Sequence, residues 1–439
     1  MFDTLPGFRE FLPEACSVRN AIFDTWRQTA ARFNFVEYDA PLLEPLELYI
    51  EKSGPEIVSQ LFNFEDRGGR AVALRPEMTP SLARLVGARA NAMRRPIKWF
   101  SIGENYRYER PQKGRTRAFY QLNADILGDS SPGADAELIA LLITSLKRFG
   151  LTENDFYIRL SDRGLWTSFL EVRGLEESAY FEVLGVIDKL ERNSREESLN
   201  SLSAIVGEGS ASDLLDSIET MIGLKDFSDI KDYIETAFPE SSASEKVSKR
   251  LDDWRIVFEN LESLGCQEFV EVDLGIVRGL AYYTGFVFEA FERSGESRAL
   301  AGGGRYDTLV KKMGGPDLPA AGFAMGDVTL SDCLSEKGLI GPHLPEPDAY
   351  MVIGDSTGMK TCLADVARLR QQGLSIEYPY KLQSFGKQFK NAEKSGARFA
   401  VVYGEDEIKS GMLTIKDLKN GESHSVPQIG LLEWLMKAR

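Results

Sequence analysis

The stretch YRYERPQKGRTRAFYQLNADILG, residues 106–128, predicts two β-strands joined by a basic loop. Apolar and polar residues alternate before the loop, at 97–107, and after it, at 117–127. Because residues two apart share one face of a strand, polar and aromatic side chains are expected on a common face of an antiparallel hairpin. That face combines a cation, carboxylates, amides and a ring: Arg107, Glu109, Phe119, Gln121, Asn123 and Asp125.

The loop concentrates positive charge in a chain whose net charge is −15. Five cations occur within eleven residues: Arg107, Arg110, Lys113, Arg115 and Arg117. Arginine binds phosphate oxygens, a carboxylate accepts a hydrogen bond from an exocyclic amine, and a ring stacks on a base. The hairpin therefore suits a nucleoside triphosphate. For the loop taken alone, a solvated hairpin with weak surface ion pairs is the favoured alternative.

Acidic charge is concentrated in one segment. Residues 166–265 contain 22 Asp and Glu against 10 Lys and Arg, a balance of −12, so the rest of the chain has a net charge of only −3. A site for a polyanion is therefore expected outside this segment.

Composition restricts the possible classes of protein. The 439 residues suffice for about three domains. No apolar run approaches the ~20 residues that span a bilayer, and no secretory signal is expected, which predicts a cytoplasmic protein. Four cysteines without CxxC spacing indicate reduced thiols rather than disulfides or a zinc site. Having only two histidines, His343 and His424, argues against histidine catalysis, and we expect no metal ligated by the chain.

Periodicity divides the chain into four segments and predicts an α/β fold of the mixed, α+β kind. Residues 1–165 mix helix and strand patterns. Residues 166–265 are helical, which we interpret as an inserted module; an acidic helical part of the core is the alternative. Residues 266–337 return to strands, and a Gly- and Pro-rich linker precedes a separate α/β domain at 348–439.

Three further motifs contain candidate binding residues. LRPEMTP presents Glu77 and Thr79 from a proline-stiffened loop that suits an ammonium group, although an ordinary turn is an equally good interpretation. RGLAYYTG places Arg278 and Tyr283 beside glycines, and AGGGRYD predicts a tight turn before Tyr306. No GxxxxGK[ST] and no strand-linked GxGxxG occurs, so neither a P-loop nor a dinucleotide-binding fold is indicated.

Together these motifs resemble the class II aminoacyl-tRNA synthetases, and among them the histidyl-tRNA synthetase family. GFREFLPE resembles the family's N-terminal signature, and FVEYDAPLLEP resembles the dimer-forming motif 1. YRYERPQKGRTRAFYQ is similar to motif 2, RGLAYYTG and AGGGRY to the two histidine-specific motifs, and GFAMGD to the start of motif 3. The tail is similar to the anticodon-binding domain of several class II enzymes. The resemblance covers nearly the whole chain.

The resemblance implies a class II antiparallel-sheet catalytic core, a helical insertion and a C-terminal anticodon-binding domain. It also implies a cytoplasmic homodimer that activates L-histidine with ATP and Mg²⁺ and transfers the histidyl group to tRNA(His). The implied ATP-binding residues are Arg107, Glu109, Arg115 and Phe119. The implied histidine-binding residues are Glu77, Thr79, Gln121, Asp125, Arg278, Tyr283 and Tyr306. Catalysis is implied for Arg107 and Arg278, and tRNA contacts for Gln112, Arg117, Lys387 and Lys390.

Two positions depart from the family pattern. Thr329 stands where motif 3 usually has an arginine that binds the γ-phosphate, and Ala281 stands where many relatives have Asp. Arg115 or Arg305 is a hypothetical replacement for the missing cation. A catalytically silent paralogue, acting as a regulatory subunit of ATP phosphoribosyltransferase, is the alternative function. The chain retains Arg107, Glu109, Arg115, Gln121 and Arg278 together with the complete tail, which favours the enzyme.

Overall fold

The computed structural model describes residues 2–53, 55–237, 244–277, 282–294 and 298–438. Contacts divide the chain into two compact units, Met1–Pro342 and His343–Arg439. No helix within the described ranges is long and apolar enough to cross a membrane.

The first unit is built on a large, mostly antiparallel sheet. Its strands are β1 (Val36–Glu37), β2 (Leu43–Pro45), β3 (Asn63–Glu65), β4 (Ala71–Leu74), β5 (Ile97–Tyr106), β6 (Ala118–Leu127), β7 (Phe156–Asp162), β8 (Val270–Val272), β9 (Phe286–Glu292), β10 (Ala301–Arg305) and β11 (Ala320–Gly326). Within the described residues, eight strands form the sheet in the order β1-β5-β6-β11-β10-β9-β7-β8, and β2-β4-β3 form a small separate sheet. The predicted fold class is confirmed.

Helices cover the sheet and continue through the acidic segment. They are α1 (Pro13–Arg32), α2 (Glu47–Ser53), α3 (Thr79–Gly87), α4 (Pro132–Lys147), α5 (Arg163–Val172), α6 (Glu177–Ile187), α7 (Arg195–Val206), α8 (Glu208–Gly223), α9 (Phe227–Ala237), α10 (Ser244–Ser263), α11 (Leu309–Lys312) and α12 (Asp327–Glu336). Short 3₁₀ helices cover Pro55–Gln60, Ala90–Ala92 and Gln267–Phe269. The apolar side chains of α4 are buried on every side because α4 lies between the sheet and the helices α1 and α10.

The predicted hairpin is present as β5 and β6. Their antiparallel register runs from Ile97 opposite Leu127 to Tyr106 opposite Ala118. On its other edge β6 pairs with β11, so the polar face of β6 lies in the middle of the sheet rather than at an edge. The hairpin is therefore a central structural element and not a solvated appendage.

The prediction of a tight turn in AGGGRYD is wrong. The glycines belong to β10, which pairs on both edges with β9 and β11. A Cβ atom at Gly303 would lie 2.3 Å from the Gly322 carbonyl oxygen, and one at Gly304 would lie 2.6 Å from the Phe286 carbonyl oxygen. The glycines are thus required for the close approach of neighbouring strands.

The second unit is a smaller α/β sheet domain. Its strands are β12 (Ala349–Ile353), β13 (Ile376–Glu377), β14 (Phe399–Tyr403), β15 (Met412–Asp417) and β16 (Ser423–Pro427), in the order β13-β12-β14-β15-β16. Its helices are α13 (Ser356–Gln371), α14 (Phe385–Lys394), α15 (Glu405–Ser410) and α16 (Leu431–Ala438), with a 3₁₀ turn at Gln428–Gly430. Sequence periodicity did not predict β16 or α15.

A buried carboxylate fastens the helical segment to the sheet. Asp162 ends β7, is fully buried and caps α5 by accepting a bond from the Gly164 amide at 2.8 Å. From α10, the Arg250 guanidinium donates to Asp162 at 2.9 and 2.5 Å, and the Trp254 indole donates at 3.1 Å. Burial alone would lower the pKa of Arg250, but the charge of Asp162 raises it above its ordinary value.

Replacing Arg250 with Leu is expected to lower the free energy of unfolding by about 3 kcal/mol, because Asp162 would remain buried without its cation. Urea unfolding followed by tryptophan fluorescence measures the loss. Arg255→Leu is the matched control, since Arg255 lies on the same helix but pairs with Glu259 at the surface. An equal loss of unfolding free energy in both variants would show that the buried pair stabilises the fold no more than the surface pair does.

Candidate active site

A cavity of about 400 Å³ opens where β6, β10 and β11 meet the basic loop. It is lined by residues that the sequence analysis singled out: Glu77, Thr79, Arg107, Glu109, Arg115, Phe119, Gln121, Asp125, Tyr283 and Tyr306. These residues come from positions more than 200 apart in the chain, so the sheet topology alone brings them together. Arg278 and Ala281 lie outside the described residues.

One end of the cavity is built around a buried carboxylate. The Tyr306 hydroxyl donates to Asp125 Oδ1 at 2.5 Å, and both side chains are buried. The pKa of Tyr306 lies well above its ordinary value, first because the phenol is buried and then because Asp125 is adjacent. Tyr306 therefore keeps its proton and acts as a donor. Gly322 faces Asp125 so closely that a Cβ atom there would lie 1.9 Å from Oδ1.

The middle of the cavity carries polar groups suited to an amino acid backbone. Glu77 precedes α3 and Thr79 is its first residue, so the Pro-bounded segment becomes a helix start. The Asn105 amide donates to Gln121 Oε1 at 3.2 Å, and Asn105 is itself buried. Because that bond uses the Gln121 carbonyl, the Nε2 group of Gln121 is left as a donor for a ligand. Strand β5 therefore orients Gln121, a candidate binding residue on β6.

The other end is cationic and aromatic. The Arg107 guanidinium donates to the Pro76 carbonyl oxygen at 3.1 Å and lies 5.2 Å from the centroid of the Phe119 ring. Arg115 and Glu109 form an ion pair. Arg107 is thus held in place by the Pro76 carbonyl and the Phe119 ring, and Arg115 by a carboxylate of its own loop.

Arg305 is not available as a replacement cation, and that hypothesis is wrong. Its Nη2 donates to Asp135 Oδ2 at 2.6 Å and its Nε bonds to both Asp135 oxygens at 3.1 Å. The pair is almost fully buried. Burial alone would lower the pKa of Arg305, but the charge of Asp135 raises it above its ordinary value. Arg305 therefore neutralises Asp135 behind the sheet, whereas Thr329 does line the cavity.

The residues predicted to contact tRNA lie outside the cavity. Arg117 donates to the Glu109 carbonyl oxygen at 3.1 Å and stacks over the Tyr108 ring, while Gln112 is exposed in the loop. Lys387 and Lys390 are exposed on α14.

Tyr282 and Arg298 line the cavity but were not predicted as site residues, and Asn123 was placed on the shared strand face without a role. Asn123 is buried, and its Nδ2 has no hydrogen-bond partner among the described residues. Its place on the same strand face as Gln121 and Asp125 was a usable signal. Tyr282 lies edge-on to Tyr306, with ring centroids 5.9 Å apart. Arg298 lines the cavity from the polar segment before β10, where no pattern distinguishes it from a surface loop.

Comparisons with known proteins agree in pointing to one family. The sequence model described as histidyl-tRNA synthetase matches residues 7–329, and the one described as anticodon binding domain matches residues 350–438. The chain is 52% identical over 427 residues to a histidine–tRNA ligase of Opitutus terrae, covering 97% of this chain and 96% of that protein.

Solved structures of similar fold include the histidyl-tRNA synthetase from Nostoc sp. PCC 7120, with a TM-score of 0.81 and 26% identity over 100% of both chains. An ATP phosphoribosyltransferase regulatory subunit/histidyl-tRNA synthetase from Bacillus halodurans has a TM-score of 0.72 over 89% of this chain and 96% of that one. At 23% identity, this second likeness shows the fold alone.

The substitution Gly322→Ala is expected to destabilise the first unit by about 1–3 kcal/mol, because the added methyl group overlaps Asp125 in a packed sheet. Gly326→Ala, near the end of the same strand, is the control, since a Cβ atom there meets nothing within 4 Å. Thermal unfolding of the two variants measures the difference. Equal stability of Gly322→Ala and Gly326→Ala would contradict the close approach of β11 to the Asp125 side chain.

Proposed function

The chain belongs to the histidyl-tRNA synthetase family, and we propose that it activates L-histidine with ATP and transfers the histidyl group to the 3′ end of tRNA(His). The observation that carries this proposal is one cavity with a buried carboxylate–phenol pair at one end and guanidinium groups with a ring at the other. Phe119 and Asp125 are six residues apart on β6, a span of about 20 Å. That span suits an amino acid joined to a nucleotide.

The carboxylate–phenol end fits an imidazole. The ring of histidine has two nitrogens, and each donates or accepts according to its protonation. Asp125, held by its hydrogen bond from Tyr306, accepts from an N–H on one side, while the hydroxyl group of Tyr283 offers a partner on the other. Glu77, Thr79 and Gln121 surround the α-ammonium group. An analogue without ring nitrogens would leave these buried groups unpaired, which gives strong discrimination.

The cationic end fits ATP, taken up with Mg²⁺. Phe119 stacks on adenine, Glu109 accepts from its amino group, and Arg115 reaches the distal phosphates. The histidine carboxylate attacks the α-phosphorus; an oxygen–phosphorus bond forms, and the bond to pyrophosphate breaks. Arg107 stabilises the charge that develops on the phosphate, and Arg278 is assigned the same task from the family motif. No side-chain nucleophile is needed.

The regulatory alternative requires only the histidine end of the cavity. A sensor of histidine has no use for a stacking ring with a guanidinium above it. Arg107, Glu109, Arg115 and Phe119 nevertheless all line this cavity. Their presence supports the enzyme over a regulatory subunit.

The second unit is assigned to anticodon binding. Lys387 and Lys390 lie on α14. Two aromatic residues close to them in sequence are exposed, Tyr380 by 88% and Phe385 by 44%. Exposed rings stack on unpaired bases, and lysines attract phosphates. In the first unit, Gln112 and Arg117 are assigned to the acceptor end of tRNA.

The remaining assignments concern organisation. The catalytic core is assigned to residues 1–165 and 266–337, and its helical insertion to residues 166–265. The anticodon-binding domain is assigned to residues 348–439. The protein is assigned to the cytoplasm as a homodimer. Exposed apolar residues of motif 1, with Val36 61% and Leu43 42% exposed, support a subunit interface.

Sedimentation velocity should give twice the mass of the chain; a single-chain mass would refute the dimer.

ATP–pyrophosphate exchange tests the activation step directly. Exchange should depend on histidine and on no other amino acid, and Arg107→Ala should reduce it about 100-fold or more, because one charged contact to the transition state is removed. Arg110→Ala is the matched control from the same loop, since Arg110 is exposed and does not line the cavity.

The outcomes separate the two functions. Histidine-dependent exchange that falls only in the Arg107 variant supports adenylation. Histidine binding without any exchange in the unaltered protein would refute the enzyme and favour the regulatory subunit.

Changing Lys387 and Lys390 together to Glu should raise the KM for tRNA about tenfold and make tRNA binding less dependent on salt, because phosphate contacts are lost. Pyrophosphate exchange, which needs no tRNA, should stay unchanged. The control pair is Lys409 and Lys437, each already paired with a glutamate on its own helix. Equal effects of the two double variants would indicate only a general charge effect.

A further inference from the structure

The triphosphate end of the cavity lacks a cation at position 329. ATP carries several negative charges on its β- and γ-phosphates, and guanidinium groups are the side chains best suited to hold them. The Thr329 hydroxyl lines the cavity but has no charge. Arg107 is held over Phe119, and Arg115 is paired with Glu109. The described residues offer one further guanidinium in the cavity lining, that of Arg298.

Arg298 reaches the same point as Thr329 from a different part of the fold. Thr329 lies on α12, whereas Arg298 precedes β10. Both approach Gly114 in the basic loop, which has a φ of +70°. Thr329 Cγ2 lies 3.3 Å and Arg298 Cδ lies 3.5 Å from the position that a Cβ atom would take at Gly114. The side chain of Arg298 therefore approaches the same part of the loop as Thr329, which stands where the family pattern has an arginine.

The surroundings of Arg298 favour an anion. Its guanidinium forms no hydrogen bond or ion pair with the part of the chain that the structure describes. The pKa of Arg298 lies below its ordinary value, first because of desolvation and then because the Arg115 cation is close. Glu109, which partly offsets this repulsion, already forms an ion pair with Arg115. Arg298 is exposed, and Arg115 is close enough to lower its pKa, so an anion that enters the cavity here would be attracted by both cations.

We propose that Arg298 binds the distal phosphates of ATP and so supplies the positive charge that Thr329 does not. This assignment rests on the proposed function of the cavity. It gives the three arginines separate positions: Arg107 at the α-phosphate beside Phe119, and Arg115 with Arg298 at the β- and γ-phosphates.

Titration calorimetry with ATP and with AMP tests the assignment by direct binding. Arg298→Ala should weaken ATP binding about 10- to 100-fold, the usual effect of losing a charged hydrogen bond, and leave AMP binding unchanged. Arg298→Lys should retain part of the affinity. The combination Arg298→Ala with Thr329→Arg should recover it, because the charge returns to the same region from α12.

Arg293→Ala is the control variant. Arg293 also follows β9, but it pairs with Glu271 and the Glu153 carbonyl and does not line the cavity. It should bind ATP and AMP like the unaltered protein.

In pyrophosphate exchange, Arg298→Ala should raise the KM for ATP and leave the KM for histidine unchanged.

Two results would overturn the assignment. One is equal loss of ATP and AMP affinity in Arg298→Ala, which would indicate a disturbed cavity. The other is normal ATP binding with impaired charging of tRNA, which would place Arg298 at the tRNA end instead. Absence of exchange in the unaltered protein would refute the proposed function, while the ATP and AMP titrations would still decide the role of Arg298.

Discussion

The cavity depends on how closely the strands of the central sheet approach one another. Gly303 and Gly304 let β10 lie against β9 and β11, and Gly322 lets β11 lie against the Asp125 side chain of β6. Without these glycines the sheet has no room for a buried carboxylate at this position. Burying a carboxylate is costly unless it is hydrogen-bonded. Tyr306, the residue after β10, donates that hydrogen bond. The close strand spacing, the buried carboxylate of Asp125 and its donor Tyr306 therefore depend on one another.

Local charge explains how a strongly acidic chain can bind polyanions. The acidic residues are concentrated in the segment 166–265, which is held against β7 through Asp162 and Arg250. At physiological ionic strength, exposed charges farther apart than about 8 Å interact weakly. The potential in the cavity therefore depends on the charged groups that line it, with Arg107, Arg115 and Arg298 at its cationic end, while the net charge of −15 chiefly affects solubility.

The sequence predicted those parts of the fold and site that follow from local pattern. Alternation identified β5 and β6, and with them the shared face of Gln121 and Asp125. AGGGRYD was misinterpreted because three glycines are compatible both with a turn and with close strand packing, and only the neighbouring strands distinguish the two. Arg298 could not be found, because its role follows from a tertiary approach to Gly114 that no local period encodes. Arg305 was misjudged for the same reason, since Asp135 is 170 residues away.

The contrast between Arg298 and Arg305 shows what a substitute cation requires. Phosphate recognition needs a guanidinium group close to the phosphate oxygens. It matters less which segment of the chain provides that group. Arg305 is close in sequence to the cavity residue Tyr306, yet its charge is already used to neutralise Asp135. Moving it would leave a buried carboxylate unpaired at a cost of about 3–5 kcal/mol. Unlike Arg305, Arg298 neutralises no buried carboxylate among the described residues, so its charge can bind a ligand without destabilising the core.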